Sequence, residues 1–511
     1  MQEDLTRDME CEVLIVGLGP VGAALGALLA SRGRSVIVVE RERTVYPLPR
    51  AVGFDGDVMR IFQRMGLADE VAKHVRFSPF YDFVAADGQL LLRYDRSAGG
   101  HPSSWPHNVT FYQPAVELLL REQIERSAAG RYLLGYAFEH LHQHDDGVVA
   151  RFRSETGQLR IRASYLVGCD GAKSEVRRCC GIGLEDFGFD EPWLVVDFLA
   201  DDLSGLPDRN MQFCDPARPA TYLQMGPGRY RWEFMVLESD PPGSMQNEKT
   251  IRRLLAERGV SREDPIERSA VYRFHGLVAR QWRKGRVLLA GDSAHQTPPF
   301  AGQGLCSGLR DAFNLAWKLD RVVKGEASDA LLDSYEVERR PQVSFIIRSA
   351  IELGRIVCTI DPERAALRNA DMLANLSAGR MPPPLTYPPL AEGCLLAGAP
   401  GAGELFPQPV ASDGGRTLRF DDLSAGMAML IGRRRTMLED VSSSDVMSIP
   451  LDEDRVAPFA TAISAWLDAK SADCVLVRPD FHVFGTGDAG KLVSEYNRMT
   501  GCGEAAALAA S

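Results

Sequence analysis

The sequence predicts an α/β fold that opens with a phosphate-cradling βαβ unit and continues into a sheet-rich region. Three observations carry this. A short apolar strand, Cys11–Val16, runs into Gly17-Leu18-Gly19-Pro20-Val21-Gly22 and then into a small-residue helix, Val21–Arg32. A second strand, Ser35–Glu40, ends in an acid. Farther along, Phe77–Tyr94 and Leu184–Ala270 alternate apolar and polar residues as half-buried strands do.

The glycines have separate tasks. The first admits a tight turn, the second lets backbone approach a pyrophosphate, and the third lets the helix pack on the strand. The helix N-terminus adds N–H groups and positive dipole. Glu40 stands where an acid can accept hydrogen bonds from an adenosine ribose. A glycine turn alone says little, but strand, turn, helix, strand and acid together predict a Rossmann-type dinucleotide site. The run Gly398–Gly403 has the wrong spacing and no preceding strand, so it reads as a loop. NAD and FAD both remain open at this point.

A chain of 511 residues, 45% apolar and 25% charged, has material for several packed cores. Its 58 basic and 69 acidic residues give a net charge of −11, a poor match for nucleic acid. The 10 cysteines are scattered, with no CxxC and no nearby histidine cluster, which predicts reduced thiols and no metal site. The pair Cys179–Cys180 reads as packing. The acidic start, Met1–Glu12, is unlike a signal peptide, and glycines and Pro20 interrupt the apolar run Val13–Ala30. A soluble cytoplasmic protein without membrane or nucleic-acid partners is expected.

Later motifs decide between the dinucleotides. Tyr165–Gly171 is an apolar strand ending in Asp170-Gly171, followed by Ser174, Val176 and Arg177. Arg286–Ala290 runs into Gly291-Asp292-Ser293-Ala294-His295, then Pro298-Pro299 and Gly302-Gln303-Gly304, and then a helix containing Asp311–Leu319. An acid after a buried strand can hold a ribityl hydroxyl. A turn at a helix N-terminus, Gly302–Cys306, offers N–H groups to a developing anion such as reduced isoalloxazine. Jointly these motifs resemble the group A flavoprotein aromatic hydroxylases, which have the para-hydroxybenzoate hydroxylase fold. GLGPVG, CDGAKSEVR and LLAGDSAHQTPPFAGQGLCSGLRDAFNLAWKL match that family's three fingerprints in order, over about residues 10–345. Pro49–Asp55, Cys214–Pro219, Tyr230–Met235 and Gly403–Pro409 look most like the 3-(3-hydroxyphenyl)propionate hydroxylase branch. Polyketide and resorcinol hydroxylases share parts of these patterns.

The resemblance implies FAD as cofactor and NADH or NADPH as co-substrate. Gly17, Gly19, Pro20 and Gly22 would cradle the pyrophosphate. Glu40 would hold the ribose with Arg41 beside it, and Ala137 would meet adenine through its backbone. Gln113 would reach the flavin side, Arg50 the mobile flavin, and Asp170 and Asp292 the ribityl chain. Gly302, Gln303, Gly304, Leu305 and Cys306 would face the isoalloxazine, with Pro298 in the catalytic group. Cys306 and Ser293 stand where many relatives carry Asn and Ala; both suit contacts made through backbone. His295 reads as a structural residue.

The implied organisation is a flavin domain in three pieces (1–76, 105–183, 271–380), interleaved with a sheet-rich substrate domain (77–104, 184–270). A Pro-rich connector (381–409) leads to a thioredoxin-like C-terminal domain (410–511) without CxxC, read as structural. The implied reaction is hydroxylation of a small phenol by dioxygen through a flavin C4a-hydroperoxide. Alternatives are oxygenation of a polycyclic or polyketide phenol, including Baeyer–Villiger insertion, and a catalytically silent FAD-binding module. A homodimer is compatible with the resemblance.

Laying Thr221–Met235 against the benzoate-hydroxylating relatives puts Leu223 and Met225 at polar sheet positions, with Glu233 also at the pocket. An apolar pair cannot hold a benzoate carboxylate, since an unpaired buried charge costs several kcal/mol. A phenol with a longer side chain is therefore expected. Asp55 and His107 are candidate acceptors of the phenolic proton. Asp55 has a competing role as cap of a helix starting at Gly56. Arg50 is a candidate for coupling substrate binding to flavin reduction, against a role in anchoring its loop.

Overall fold

The computed structural model describes residues 6–45, 51–96, 102–155, 157–380, 385–439, 441 and 443–501. Val13–Val16 pairs in parallel with Val36–Val39 on one side and Tyr165–Gly168 on the other. A strand flanked on both edges and covered on both faces must be apolar throughout, which is why this segment is legible as an unbroken hydrophobic run. The strand is longer than its apolar part: Thr6–Cys11 continues the pairing along Gln158–Ala163, and the side chains of Arg7–Cys11 are half-buried or exposed. The sheet has eight strands. Its main path runs Arg283–Lys284, Val287–Leu289, Gly157–Gly168, Thr6–Val16, Val36–Glu40 and Gly130–Leu134, and the hairpin Ala137–His144/Gly147–Ser154 joins through Gly157–Gly168. The helix Pro20–Ser31 starts at Pro20, whose fixed φ and missing N–H suit a first helical position.

A second eight-stranded sheet is ordered His295–Gln296, Ile266–Ala279, Leu184–Leu199, Arg229–Met235, Ala220–Gln224, Asn210–Phe213, Phe80–Val84 and Leu90–Asp95. Alternation gives it two unlike faces. One packs Leu194, Val196, Phe198, Tyr222, Tyr230, Trp232 and Phe234 against Ile251, Leu254 and Leu255 of the helix Glu248–Glu257. The other carries Tyr81, Trp193, Asp197, Gln212, Thr221, Leu223, Arg231 and Glu233, and it turns toward the Pro298–Gly302 loop. There the Tyr81 hydroxyl donates to the Phe300 carbonyl at 2.9 Å, and the Trp193 ring lies 5.5 Å from the Phe300 ring.

Beyond the connector, strands Ala428–Gly432, Val446–Pro450, Cys474–Val477 and Val483–Thr486 form a four-stranded sheet with helices Ala457–Ala469 and Ala489–Thr500. A fully buried ion cluster joins this unit to the helices Gly304–Val323 and Asp333–Val357. Arg478 donates to Glu338 at 2.9 and 2.7 Å and to Asp480 at 2.6 Å. Lys318 reaches Glu338 at 2.7 Å, and the Asn314 amide bridges Glu338 and Asp480 at 2.7 and 2.8 Å. Nearby, Arg60 forms a buried two-pronged pair with Asp421. Among the described residues no helix is long and apolar enough to cross a membrane.

Candidate functional site

The glycine loop has the geometry a pyrophosphate requires. Gly17 has φ +102°, and a Cβ there would sit 2.4 Å from the Cys169 carbonyl oxygen. A Cβ on Gly22 would lie 2.0 Å from the Gly17 carbonyl oxygen. At Gly19, by contrast, a Cβ would meet nothing within 4 Å, so open ground lies before the helix. Gly19 is the helix N-cap and has no side-chain cap of its own. Glu40 holds the loop from the neighbouring strand: it accepts from the Leu18 N–H at 2.8 Å and from the Glu42 N–H at 3.0 Å. The Tyr136 N–H donates to the Glu40 carbonyl at 3.0 Å, which brings the exposed Ala137 beside that acid. Arg41 is exposed, 3.3 Å from Glu42.

The helix Gln113–Glu125 closes a second side. Gln113 accepts from the Ala51 N–H at 2.8 Å and donates to Glu117 at 2.6 Å. One turn beyond Glu117, Arg121 reaches back to the Leu18 carbonyl at 3.4 Å, and its buried Nε has no hydrogen-bond partner among the described residues. Sequence reasoning missed Arg121. The available signal was the i, i+4, i+8 row Gln113, Glu117, Arg121, which shares one helix face. Arg50 lies outside the described residues.

The third fingerprint is bolted together by buried polar contacts. The Ser293 hydroxyl donates to the carbonyls of Gly168 and Ala290 at 2.5 and 2.8 Å. His295 Nε2 lies 2.6 Å from Asp311, which also accepts from the Gly291 N–H at 3.1 Å and Arg339 at 3.0 Å. Burial would raise the Asp311 carboxyl, but the His295 contact and the Arg339 charge hold it below its usual range. His295 is thus fixed in the frame. Asp170 accepts from Ser174 and from the Val176 N–H at 3.0 Å, ordering its own loop, and burial pushes its carboxyl upward. Asp292 is exposed on the turn Gly291–Ser293.

Pro298 is buried, Gly302 has φ +65°, and Gln303 caps the helix Gly304–Val323 without a side-chain bond. The Cys306 side chain points inward, its sulfur 3.7 Å from the Gly302 carbonyl, and burial pushes its thiol up. Gly304 and Leu305 are half-buried. Thr297 Oγ1 and Gln303 Oε1 are buried without hydrogen-bond partners among the described residues. These orphaned atoms, with Arg121 Nε and the uncapped helix start at Gly19, fit a dinucleotide whose polar atoms would complete them.

Asp55 caps the helix Gly56–Arg64, accepting from the Val58 N–H at 3.1 Å, and pairs with Arg310 at 3.0 and 2.9 Å. Arg310 also reaches Asp57 at 2.6 Å and stacks 3.9 Å over Tyr387. The capping role is the one the geometry displays, and nothing here supports a role as phenol base. Asp55→Ala is expected to cost about 1–3 kcal/mol, from the lost cap and the orphaned Arg310. Its turnover should stay within a few-fold of wild type. Denaturant midpoints beside turnover numbers check this; lost turnover at unchanged stability would restore the base reading. Half-buried His107 adjoins Asn108, the register partner of Asp55.

The wall expected to be apolar is not. Leu223 and Met225 are buried, but Leu223 pairs in register with Arg231, only 2% exposed. Arg231 makes a two-pronged pair with Asp197 at 2.5 and 2.9 Å, and Glu233 lies 3.5 Å from it. Arg268 stands 3.9 Å from Asp197. The apolar pair Leu223 and Met225 thus shares its wall with cations, and acids already face them. The signal lay in Arg229–Met235 itself, where Arg231 and Glu233 alternate with Tyr230, Trp232 and Phe234.

The glycine loop, the third fingerprint and the sheet wall facing the Phe300 loop together form the candidate site of a dinucleotide-binding protein. Residues 10–350 match the family described as FAD binding domain. The chain is 37% identical, over 94% of its length and 93% of the relative's, to a probable NADH-specific resorcinol 4-hydroxylase of Rhodococcus jostii (strain RHA1). It is 31% identical, over 93% of its length and 90% of the relative's, to a 3-(3-hydroxy-phenyl)propionate/3-hydroxycinnamic acid hydroxylase of Mycolicibacterium smegmatis. It shares its fold with the flavin-dependent monooxygenase PieE in complex with FAD and substrate: TM-score 0.82 at 22% identity, covering 97% of this chain and 99% of that one. The chain belongs to the FAD binding domain family and is an FAD-dependent aromatic hydroxylase.

Proposed function

We propose that the protein uses NADH and dioxygen to hydroxylate a small uncharged phenol, a dihydroxybenzene of the resorcinol type. The observation that carries this is the balance along the strand Arg229–Met235, where Arg231 and Arg268 stand against Asp197 and Glu233. The name of the relative at 37% identity agrees in both ring and nicotinamide.

Bound FAD supplies electron transfer and activated oxygen. Gly17, Gly19, Pro20 and Gly22 would hold its pyrophosphate, with Glu40, Arg41 and Ala137 at the adenosine end. Gln113 and Arg121 would stand at the flavin side, Asp292 at the ribityl chain, and Gly302–Cys306 at the ring. Leu223, Met225 and Pro298 exclude water from the reacting ring. The bonds Thr221 to Gln212 (2.7 Å), Gln212 to Tyr81 (2.7 Å) and Tyr81 to the Phe300 carbonyl (2.9 Å) fix the loop against the wall. His107 is proposed to take the phenolic proton. The C-terminal unit follows a ββαββα order that suits a thioredoxin-like reading with a structural role.

The test is NADH oxidation by the FAD-loaded protein with resorcinol or 3-(3-hydroxyphenyl)propionate. Resorcinol is expected to stimulate consumption at least about tenfold more, the size of one good polar contact. Preference for the propionate would refute the assignment.

A further inference from the structure

Glu233 stands apart from its neighbours on the wall. Register places Val195 and Thr221 opposite it, with Asp197, Arg231 and Leu223 one step along the same face. The polar groups of Thr221, Gln212 and Tyr81 are committed to one another and to the Phe300 carbonyl. Asp197 takes both prongs of Arg231. Glu233 is held by a single long contact, Oε1 to Arg231 Nη1 at 3.5 Å, and its Oε2 has no hydrogen bond among the described residues. A carboxyl that is buried yet loosely held has acceptor capacity left, and burying it without a partner is costly. Burial pushes this carboxyl up, Arg231 and Arg268 pull against it, and Asp197 adds to the rise.

We propose that Glu233 is the specificity-determining residue of the substrate wall: it accepts a hydrogen bond from a hydroxyl of the bound ring and repels any ring that carries a carboxylate. The inference rests on the reading of this face as the substrate wall of a phenol hydroxylase. A hydroxyl donor satisfies the open oxygen directly. A carboxylate there would instead face Glu233 and Asp197, with both arginines already engaged, and like charges in a desolvated site repel strongly. The apolar neighbours Leu223 and Met225 leave room for the ring body and supply no rival polar partner.

The test compares wild type with Glu233→Gln, both loaded with FAD, on 1,3-dihydroxybenzene and on 3-(3-hydroxyphenyl)propanoate. Binding is read from the perturbation of flavin absorbance, and KM and kcat from NADH oxidation. The glutamine keeps shape and removes charge. Kd and KM for the diol are expected to rise about tenfold or more, the scale of a hydrogen bond to a charged group, with kcat changed less. For the propanoate they are expected to fall. A role confined to supporting Arg231 would weaken both ligands alike and lower the melting temperature, and that result, or an unchanged preference, overturns the proposal. If wild type oxidises NADH in response to neither phenol, the hydroxylase reading itself fails, which is a separate result.

Discussion

Gly22→Ala is expected to leave purification colourless, with FAD affinity lowered by about 100-fold or more, equivalent to roughly 3 kcal/mol. The added methyl would stand 2.0 Å from the Gly17 carbonyl oxygen and 3.1 Å from the Cys169 side chain. The first of these is backbone, so relief requires moving the turn that presents N–H groups to the pyrophosphate. Gly19→Ala makes the informative control. Its methyl meets nothing in the protein within 4 Å, so the chain should fold with an unchanged melting temperature. Any loss of FAD in that variant then reports crowding of the ligand alone. Absorbance of the bound flavin and thermal melts of the two variants separate these effects.

The second large effect is expected at the buried cluster that joins the C-terminal unit to the flavin-side helices. Glu338 takes Arg478, Lys318, Asn314 and the Cys394 N–H together, the last at 2.9 Å. Glu338→Gln leaves Arg478 and Lys318 with one carboxylate, Asp480, in a dry site, and breaking a buried pair in this way costs about 3–5 kcal/mol. The loss should depend on pH in a defined direction. Burial alone would raise the Glu338 carboxyl, but Arg478 and Lys318 pull it from 4.5 down to about 2. A depressed carboxyl contributes its full stability above its unfolded value and loses it as pH falls through the folded value. The deficit of the variant should therefore be largest near neutrality and shrink as pH falls from 4.5 toward 2. Denaturant titrations of both proteins across that range measure it, and a deficit independent of pH would show that Glu338 acts only by shape.

The parts of the site readable in the sequence are those in which one short segment does a whole task. Gly17 and Gly22 announce a turn because neighbouring backbone leaves neither room for a Cβ, Gly19 leaves open ground before the helix, and the apolar run Val13–Val16 announces a central strand paired on both edges and buried on both faces. What escaped reading depends on residues far apart in the chain. Asp55 resembles a pocket acid until Arg310 arrives from the helix after the third fingerprint. Arg121 is one arginine among many until the helix face carrying Gln113 is laid against Leu18. Glu233 drew notice while Arg231 did not, because only the sheet register shows that Arg231 shares its face with Leu223 and Asp197. The outer part of the strand Thr6–Val16 was missed because its pairing is made by backbone, while Arg7, Asp8 and Glu10 keep exposed side chains.

The claim that this fold oxygenates a phenolic ring is tested most directly by isotope. The FAD-loaded protein would be supplied with NADH, 1,3-dihydroxybenzene and ¹⁸O-labelled dioxygen in unlabelled water, and the product examined by mass spectrometry. The expected result is a ring bearing one new hydroxyl whose oxygen is labelled, formed in step with NADH consumption. Unlabelled product, or NADH consumption indifferent to the ring, would contradict it.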